Sequence, residues 1–230
     1  MLSKNIIDKQ VNKLASEFFA DQFNGNSDDK SRALSKAYTQ LTMKNMLDLD
    51  EDEAFDCVVD GKNDFAIDGL YFSEPQNEFF DIYIYQIKYS SNLAKEPGIK
   101  ENDIIKMIES IKKFFALQQY DVNDKLHQKL VDINAIVDEF NIPNFHIYFC
   151  NNGQTWSANS QKIIEDFLNE SIENKKRFNF NYINHDTIFS LFEKSQPVNC
   201  FLNFSGRIVD EAINFKRSLW VRCRCRTFMR

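Results

Sequence analysis

Three polar side chains near the ends of two predicted neighbouring strands have the types needed to hold a divalent metal ion and act on a phosphate ester. The strands are predicted at residues 60–72 and 81–90, from their Ile, Tyr and Phe content and the turn-forming residues between them. Residues two apart in a strand share a face. Gln86 and Lys88 therefore lie on one side of the second strand, and Asp68 is the acidic residue of the first strand that can meet them.

The pairing register decides whether these groups come together. A hairpin centred near Asn77 places Asp68 opposite Gln86, with Lys88 one pleat further along. Directly opposed residues have Cβ atoms about 5 Å apart, so one hydrated divalent ion can bridge the carboxylate and the amide. A slip of one residue would move Asp68 to the other face. Two interpretations stay open here: a metal site, or a polar rim on a half-buried hairpin in which Asp-Gly is ordinary turn chemistry.

The same residues carry a resemblance to a known family. The stretch from Asp64 to Ile67-Asp68-Gly69, followed by a hydrophobic strand ending Gln86-x-Lys88-Tyr89-Ser90, resembles the PD-(D/E)XK nuclease superfamily. It is most similar to the Mrr-type restriction endonucleases and the abortive-infection phage-resistance (AIPR) family. The similarity in pattern extends over about residues 3 to 195, and its specific part is 64–90.

The resemblance implies a role for each residue of the motif. Asp68 would bind the metal ion, Gln86 would be the second ligand, and the Ile87 carbonyl would be a third. Lys88 would position the attacking water or stabilise charge on the phosphate. Hard oxygen ligands suit Mg²⁺ or Mn²⁺. Gln86 stands where the wider superfamily has Glu, which removes a negative charge and should weaken metal affinity.

A helix that precedes the hairpin often adds an acidic residue to the metal site in this superfamily. Ile7, Val11, Leu14 and Phe18 recur at helical spacing and predict an amphipathic helix over about residues 5–23. The resemblance transfers the acidic role to Glu17 of this helix. The alternative is that Glu17 belongs to the solvated flank of the helix.

The chain as a whole predicts an α/β fold. The resemblance implies a restriction-endonuclease-like mixed β-sheet flanked by helices on both faces, with an α-β-β-β-α-β core. Besides the hairpin, the hydrophobic patterns predict strands at 54–59, 145–150 and 178–183, and helices at 30–47, 102–120, 122–140, 161–169 and 186–192.

Charge divides the chain into a body and a tail. The chain has 230 residues and a net charge of −6. Residues 216–230 hold six basic residues and no acid, so the first 215 carry −12. We predict one nuclease-like domain at 1–215, with its hairpin core at 54–90, and a basic tail at 216–230. Two interpretations of the tail stay open: a basic arm for nucleic acid, or a non-native or truncated end. We favour the second, because AIPR-like proteins usually continue into a large C-terminal region that this chain lacks.

Composition excludes several classes of protein. No apolar run approaches the roughly 20 residues that a membrane span needs, and the N-terminus lacks the apolar stretch of a signal peptide. The five cysteines form no Cys-x-x-Cys motif. We therefore expect a cytoplasmic protein with reduced thiols and no membrane partner.

The resemblance leads to a functional hypothesis. It implies a Mg²⁺-dependent endonuclease that cleaves DNA phosphodiester bonds in defence against phage, and a homodimer is one option because such nucleases often dimerise. The alternative is a catalytically inactive nuclease-like module for nucleic-acid binding or assembly. The acidic body favours this alternative, since phosphate neutralisation usually dominates affinity for nucleic acid. An RNA-cleaving toxin of the same architecture is a more remote third option.

Overall fold

The computed structural model describes residues 2–90, 98–115, 121–153 and 155–195, together with two strands at 209–213 and 216–220. The chain divides into two compact units, Met1–Ser195 and Gln196–Arg230. The domain limit predicted at residue 215 falls within the second unit and stays a prediction. Of the predicted basic tail, residues 216–220 form a strand and residues 221–230 lie outside the described part.

The first unit contains a four-stranded mixed sheet with the order β1-β2-β3-β4. Its strands are β1 (Gly69–Phe72), β2 (Phe79–Lys88), β3 (Ile142–Asn151) and β4 (Phe178–Ile183). β1 runs antiparallel to β2, and the other neighbours are parallel. Gly69 pairs with Tyr85 and Phe72 with Ile82, which is the register centred on Asn77 that the sequence predicts. The α/β class is confirmed.

Nine helices accompany this sheet in the described residues. They are α1 (Leu2–Phe18), α2 (Ala20–Phe23), α3 (Ser27–Leu47), α4 (Glu51–Asp56), α5 (Glu101–Phe115), α6 (Asp124–Asp138), α7 (Ala158–Asn169), α8 (Ile172–Arg177) and α9 (His185–Ser195). Within the described chain, none of these helices has the length and apolar character that crossing a bilayer requires.

Helices pack on both faces of the sheet because β2 sends alternate side chains in opposite directions. Ile82 and Ile84 belong to one apolar cluster, with residues of α5, α6 and α7 such as Ile104, Leu126 and Ile164. Tyr85 and Ile87 belong to a second cluster, with residues of α1, α3 and α9 such as Ile7, Tyr38 and Ile188. β2 is therefore the centre of both cores.

The strand predicted at 54–59 is wrong. Residues Glu51–Asp56 form helix α4, and Val58 makes only an isolated bridge to Gly69. The reason is a capping box: the Asp50 side chain accepts from the Glu53 N–H (2.8 Å), and the Glu53 carboxylate accepts from the Asp50 N–H (3.0 Å). The acidic residues from Asp50 to Glu53 thus start a helix, and the first of the three predicted core strands is missing.

The strand predicted at 60–72 is also too long. Only Gly69–Phe72 is a strand, and residues 60–68 form a loop in which Asn63, Phe65 and Ala66 have positive φ angles of 61°, 55° and 64°. Positive φ is incompatible with an extended strand. The alternation we used to place Asp64 and Asp68 on one strand face therefore does not hold in this segment.

The second unit is described by its backbone alone. β5 (Val209–Ile213) pairs antiparallel with β6 (Lys216–Trp220), and Ile213 is the partner of Lys216. These two strands form a sheet of their own.

Close packing of β1 on α3 generates a stability prediction. A Cβ atom at Gly69 would lie 2.4 Å from the Met43 Sδ and 3.1 Å from the Thr39 Cγ2. Met43 is fully buried, so it has little room to move. We expect Gly69→Ala to lower the free energy of unfolding by about 1–3 kcal/mol, measured by urea denaturation.

Gly61→Ala is the matched control. Its added Cβ would first meet the Asn123 Nδ2, at 3.4 Å, which is the end of a side chain that can adjust. A Gly69→Ala variant as stable as the Gly61→Ala variant would contradict the close approach of β1 to α3.

Candidate metal centre at the end of the hairpin

The loop at residues 60–68 is closed by hydrogen bonds to its own backbone. The N–H groups of Val59 and Asp60 both donate to the Asp68 carbonyl, at 3.0 and 3.2 Å. The Asp64 carboxylate accepts from the N–H groups of Gly61 (3.2 Å) and Ala66 (2.9 Å). Such side-chain-to-backbone bonds favour turns over strands. They fold the acidic residues of the loop towards one another.

Three half-buried carboxylates meet in this loop. Asp60, Asp64 and Asp68 each have an oxygen atom within 4.8 Å of an oxygen of the other two. Carboxylates in such a group are typical ligands of hard divalent cations. Of these three aspartates, only Asp68 is a predicted ligand in the sequence. The signal that could have revealed the other two is the four-residue spacing Asp60, Asp64, Asp68 in a segment with turn-forming Gly and Asn.

Strand β2 holds Asp68 in place. The Asp68 N–H donates to the Tyr85 carbonyl at 2.9 Å, and the Ile87 N–H donates to the Asp68 Oδ2 at 2.5 Å. In a strand, the N–H and C=O of one residue point to the same neighbour. The Ile87 carbonyl is thus directed to the same side as the Asp68 carboxylate, where a third ligand was predicted.

The pKa values of Asp68 and Asp60 are raised, so their ionisation is less favourable than usual. Burial raises the pKa of Asp68 well above its usual value, and the charges of Asp60 and Asp64 raise it further, whereas the Ile87 N–H and the Lys88 ammonium lower it. Burial also raises the pKa of Asp60, against the effect of the nearby Lys36. A bound cation would remove this repulsion, because an opposite charge favours the ionised form.

The amide oxygen of Gln86 is a buried hydrogen-bond acceptor that receives no hydrogen bond from the described residues. The hairpin register places it opposite Asp68, on the face that also carries Ile82 and Ile84. Its side chain is 6% exposed, and its Oε1 is buried with no hydrogen-bond partner among the described residues. Leaving such an acceptor unpaired costs about 1–3 kcal/mol. The three carboxylates are a donor set that fits Mg²⁺ or Mn²⁺, and Gln86 is not among the residues that line the cleft.

Lys88 is held by a residue that sequence reasoning missed. Its ammonium forms an ion pair with Asp103 in the first turn of α5. The Asp103 Oδ2 also accepts from the Lys100 N–H at 2.9 Å, which fixes the carboxylate at the start of the helix. The Asp68–Lys88 motif does not predict this contact, because Asp103 lies outside the motif and reaches Lys88 only through the packing of α5 on the sheet.

Asp68 and Lys88 open into one cleft, with a volume of about 560 Å³. Its walls come from the N-terminal half of α3, the acidic loop and the end of β2. The lining residues are Asp28, Ser31, Arg32, Ser35, Asp60, Asp68, Ile87, Lys88 and Tyr89. Asp64 faces a second depression of about 350 Å³, beside Lys106 and Ser110 of α5.

Glu17 does not line either of these two depressions. It is exposed on α1, where its carboxylate is 3.7 Å from the Lys13 ammonium, and it does not belong to the group of three aspartates. This position agrees with the alternative of a solvated helix flank. The helix that borders the cleft is α3, and its acidic residue there is Asp28.

Comparison of the chain with protein-family models, with curated proteins and with solved structures found no match. The interpretation of the site therefore depends on its own geometry.

Asp68→Asn tests the electrostatic cost of the buried carboxylate. A raised pKa means that the folded state binds the Asp68 proton more readily than the unfolded chain, so ionisation of Asp68 lowers the free energy of unfolding. This loss is complete above the folded-state pKa and disappears as the pH falls to the usual aspartate value of about 4. In metal-free buffer we expect Asp68→Asn to be more stable than wild type at neutral pH, with an advantage that vanishes in acid.

Thermal unfolding followed by circular dichroism across this pH range measures the effect. Asp166→Asn, at an exposed position of α7, is the control and should follow wild type. A lower stability of Asp68→Asn at neutral pH would contradict the assignment of a strained carboxylate.

Proposed function

We propose that this protein is a divalent-metal-dependent nuclease that hydrolyses phosphodiester bonds in DNA, acting in defence against phage. The observation that carries the proposal is the bond from the Ile87 N–H to the Asp68 carboxylate. It joins the acidic loop to the strand that carries Gln86 and Lys88, as the PD-(D/E)XK motif would require. A restriction-endonuclease-like fold is part of the proposal, and the mixed sheet with helices on both faces is compatible with it.

The metal would be held by oxygen atoms around Asp68. Asp60 has no hydrogen bond to its carboxylate in the described residues, so it is free to bind beside Asp68. Both oxygens of Asp64 already accept backbone N–H groups, which leaves it a weaker candidate. Gln86 and the Ile87 carbonyl complete the set. When bound, a divalent ion would polarise the phosphate and make water a better nucleophile.

Lys88 supplies the positive charge of the site. Lys88 lines the cleft beside Asp68, and its ammonium is held by Asp103 of α5. In hydrolysis a water oxygen forms a bond to phosphorus, the bond from phosphorus to one sugar oxygen breaks, and that oxygen takes up a proton. Negative charge grows on the phosphate during this exchange, and a fixed ammonium stabilises it more than a mobile one.

The second candidate is a nuclease-like module that binds nucleic acid or assembles without cleaving. The Lys88–Asp103 ion pair favours it, because a lysine whose charge is already neutralised is less available to a phosphate. The neutral Gln86 favours it too, since an amide binds metal more weakly than a carboxylate. The two candidates differ in metal binding and in cleavage.

Cleavage is tested with the two residues on which the mechanism depends. We expect Asp68→Asn and Lys88→Ala each to reduce Mg²⁺-dependent cleavage of plasmid DNA by about 10²–10³-fold or more. Lys162→Ala, at an exposed position of α7 and outside both depressions, is the matched control and should cut like wild type. Full activity in either site variant would reject the residue assignment.

Metal binding is tested by calorimetric titration with Mg²⁺ and Mn²⁺ in the absence of DNA. We expect saturable binding to wild type, an increase in its melting temperature with added metal, and loss of both effects in Asp68→Asn. The reason is that a cation binds the folded state alone and relieves the repulsion around Asp68. Wild-type protein that binds neither ion would favour the non-cleaving module.

A further inference from the structure

Four cations on two helices flank the acidic loop. Arg32 and Lys36 are one turn apart on α3, and Lys125 and Lys129 are one turn apart on α6. Residues at this spacing share a helix face, and like charges there cost a few tenths of a kcal/mol per pair, about 0.2–0.5. We call these four residues the α3–α6 cation surface.

The α3 pair borders the cleft. Arg32 lines it together with Asp60, Asp68 and Lys88. Lys36 lies near enough to Asp60 to be the strongest influence that lowers its pKa, although burial raises that pKa more. Both cations therefore stand beside the carboxylates that would hold the metal.

The α6 pair lies on the other side of the loop. Asn123 caps α6, and its side-chain amide donates to the Val59 carbonyl at 2.9 Å, which ties the first turn of α6 to the base of the loop. The Lys125 Nζ is 4.4 Å from the centre of the Phe55 ring, and the Lys129 Nζ is 5.9 Å from that of Phe72. The Phe55 contact holds Lys125 beside α4, which precedes the loop, whereas Phe72 lies at the end of β1 away from Asp68, so Lys129 extends the surface along β1.

The two pairs are within electrostatic reach of each other. Partial burial lowers the pKa of Lys125, and the charges of Lys129 and Lys36 lower it further, while Asp56 opposes them. The geometric link is the loop itself: Asn123 ties the start of α6 to Val59, and the next residue, Asp60, lines the cleft with Arg32 of α3. Their mutual repulsion would be relieved by an anion.

None of these four cations forms an ion pair with another described residue. Other described lysines, such as Lys162, Lys175 and Lys176, also form none, so what distinguishes the four is their position around the acidic loop. The chain has 34 acidic and 28 basic residues, so unpaired cations grouped around one site are not explained by a general excess of positive charge. A polyanion with closely spaced charges is the ligand that fits such a group, and duplex DNA presents one phosphate per about 1.7 Å of helix axis.

We propose that the α3–α6 cation surface binds the phosphate backbone of DNA and brings it to the acidic loop. This inference rests on the proposed nuclease function for the choice of DNA. It also answers the objection from net charge, because the binding face is a local basic surface on an acidic body.

The test is the affinity of the full chain for a fluorescent DNA duplex, measured by anisotropy in EDTA at several salt concentrations. EDTA removes the metal, so binding is read without cleavage. We expect Lys36→Glu/Lys125→Glu to weaken binding about tenfold or more and to reduce the slope of log affinity against log salt by about 2. Lys36→Gln/Lys125→Gln removes the two charges but keeps long side chains, so it is less able to disturb folding. It should show the same loss of affinity, to a smaller extent.

Lys175→Glu/Lys176→Glu is the matched control. It makes the same change in charge on α8, which precedes β4 at the sheet edge opposite β1. It should bind like wild type. The proposal that this surface binds DNA would be rejected by equal losses of affinity in the two Lys→Glu double variants. It would also be rejected if wild-type protein failed to bind duplex DNA at low salt.

The outcomes separate this inference from the proposed function. Selective loss of binding in Lys36→Glu/Lys125→Glu, with no cleavage by wild type in Mg²⁺, supports the surface and rejects the nuclease. Cleavage by wild type, with unchanged binding and cutting in Lys36→Glu/Lys125→Glu, supports the nuclease and rejects the surface.

Discussion

The hydrogen bond from the Ile87 N–H to the Asp68 carboxylate is the contact on which the candidate site depends. The β1–β2 ladder ends just before it, at Gly69 and Tyr85. At that point a side-chain oxygen replaces the backbone carbonyl that a continuing strand would supply. The loop is thereby released from strand pairing but stays joined to β2. The same bond positions two further site residues. The Asp60 N–H donates to the Asp68 carbonyl, so Asp60 is held beside Asp68, and Lys88 directly follows Ile87 in the strand.

The parts of the site that could be predicted from the sequence come from local periodicity. Alternation along β2 correctly separates Tyr85 and Ile87 from Gln86, and the turn residues around Asn77 give the observed register. Asp68 accordingly lies opposite Gln86 even though it is outside the strand. The register is robust because both faces of β2 are buried, and a slip would move apolar side chains out of both cores.

The remaining parts depend on interactions that residue patterns do not display. Asp50 and Asp64 use their side chains to bond backbone N–H groups, which converts predicted strands into a helix and a loop. Phe55, Val58 and Val59 favour a strand by composition, but the capping box decides the local conformation. Asp103 and the α3 wall of the cleft are brought in by packing between distant segments. Glu17 was transferred from a resemblance, and it is not among the residues that line the cleft.

The site combines charges of opposite sign that would work against each other without a metal. Asp60, Asp64 and Asp68 repel a phosphate, while Arg32 and Lys36 attract one to the same place. A divalent cation between them would change the balance, since it neutralises the carboxylates and leaves the cations free to act on the backbone. In the proposed function, metal and DNA would therefore bind with positive coupling, because each reduces the electrostatic cost of the other. The pKa of Asp68 is raised mainly by burial, and the negative charges of Asp60 and Asp64, which a cation would neutralise, raise it further.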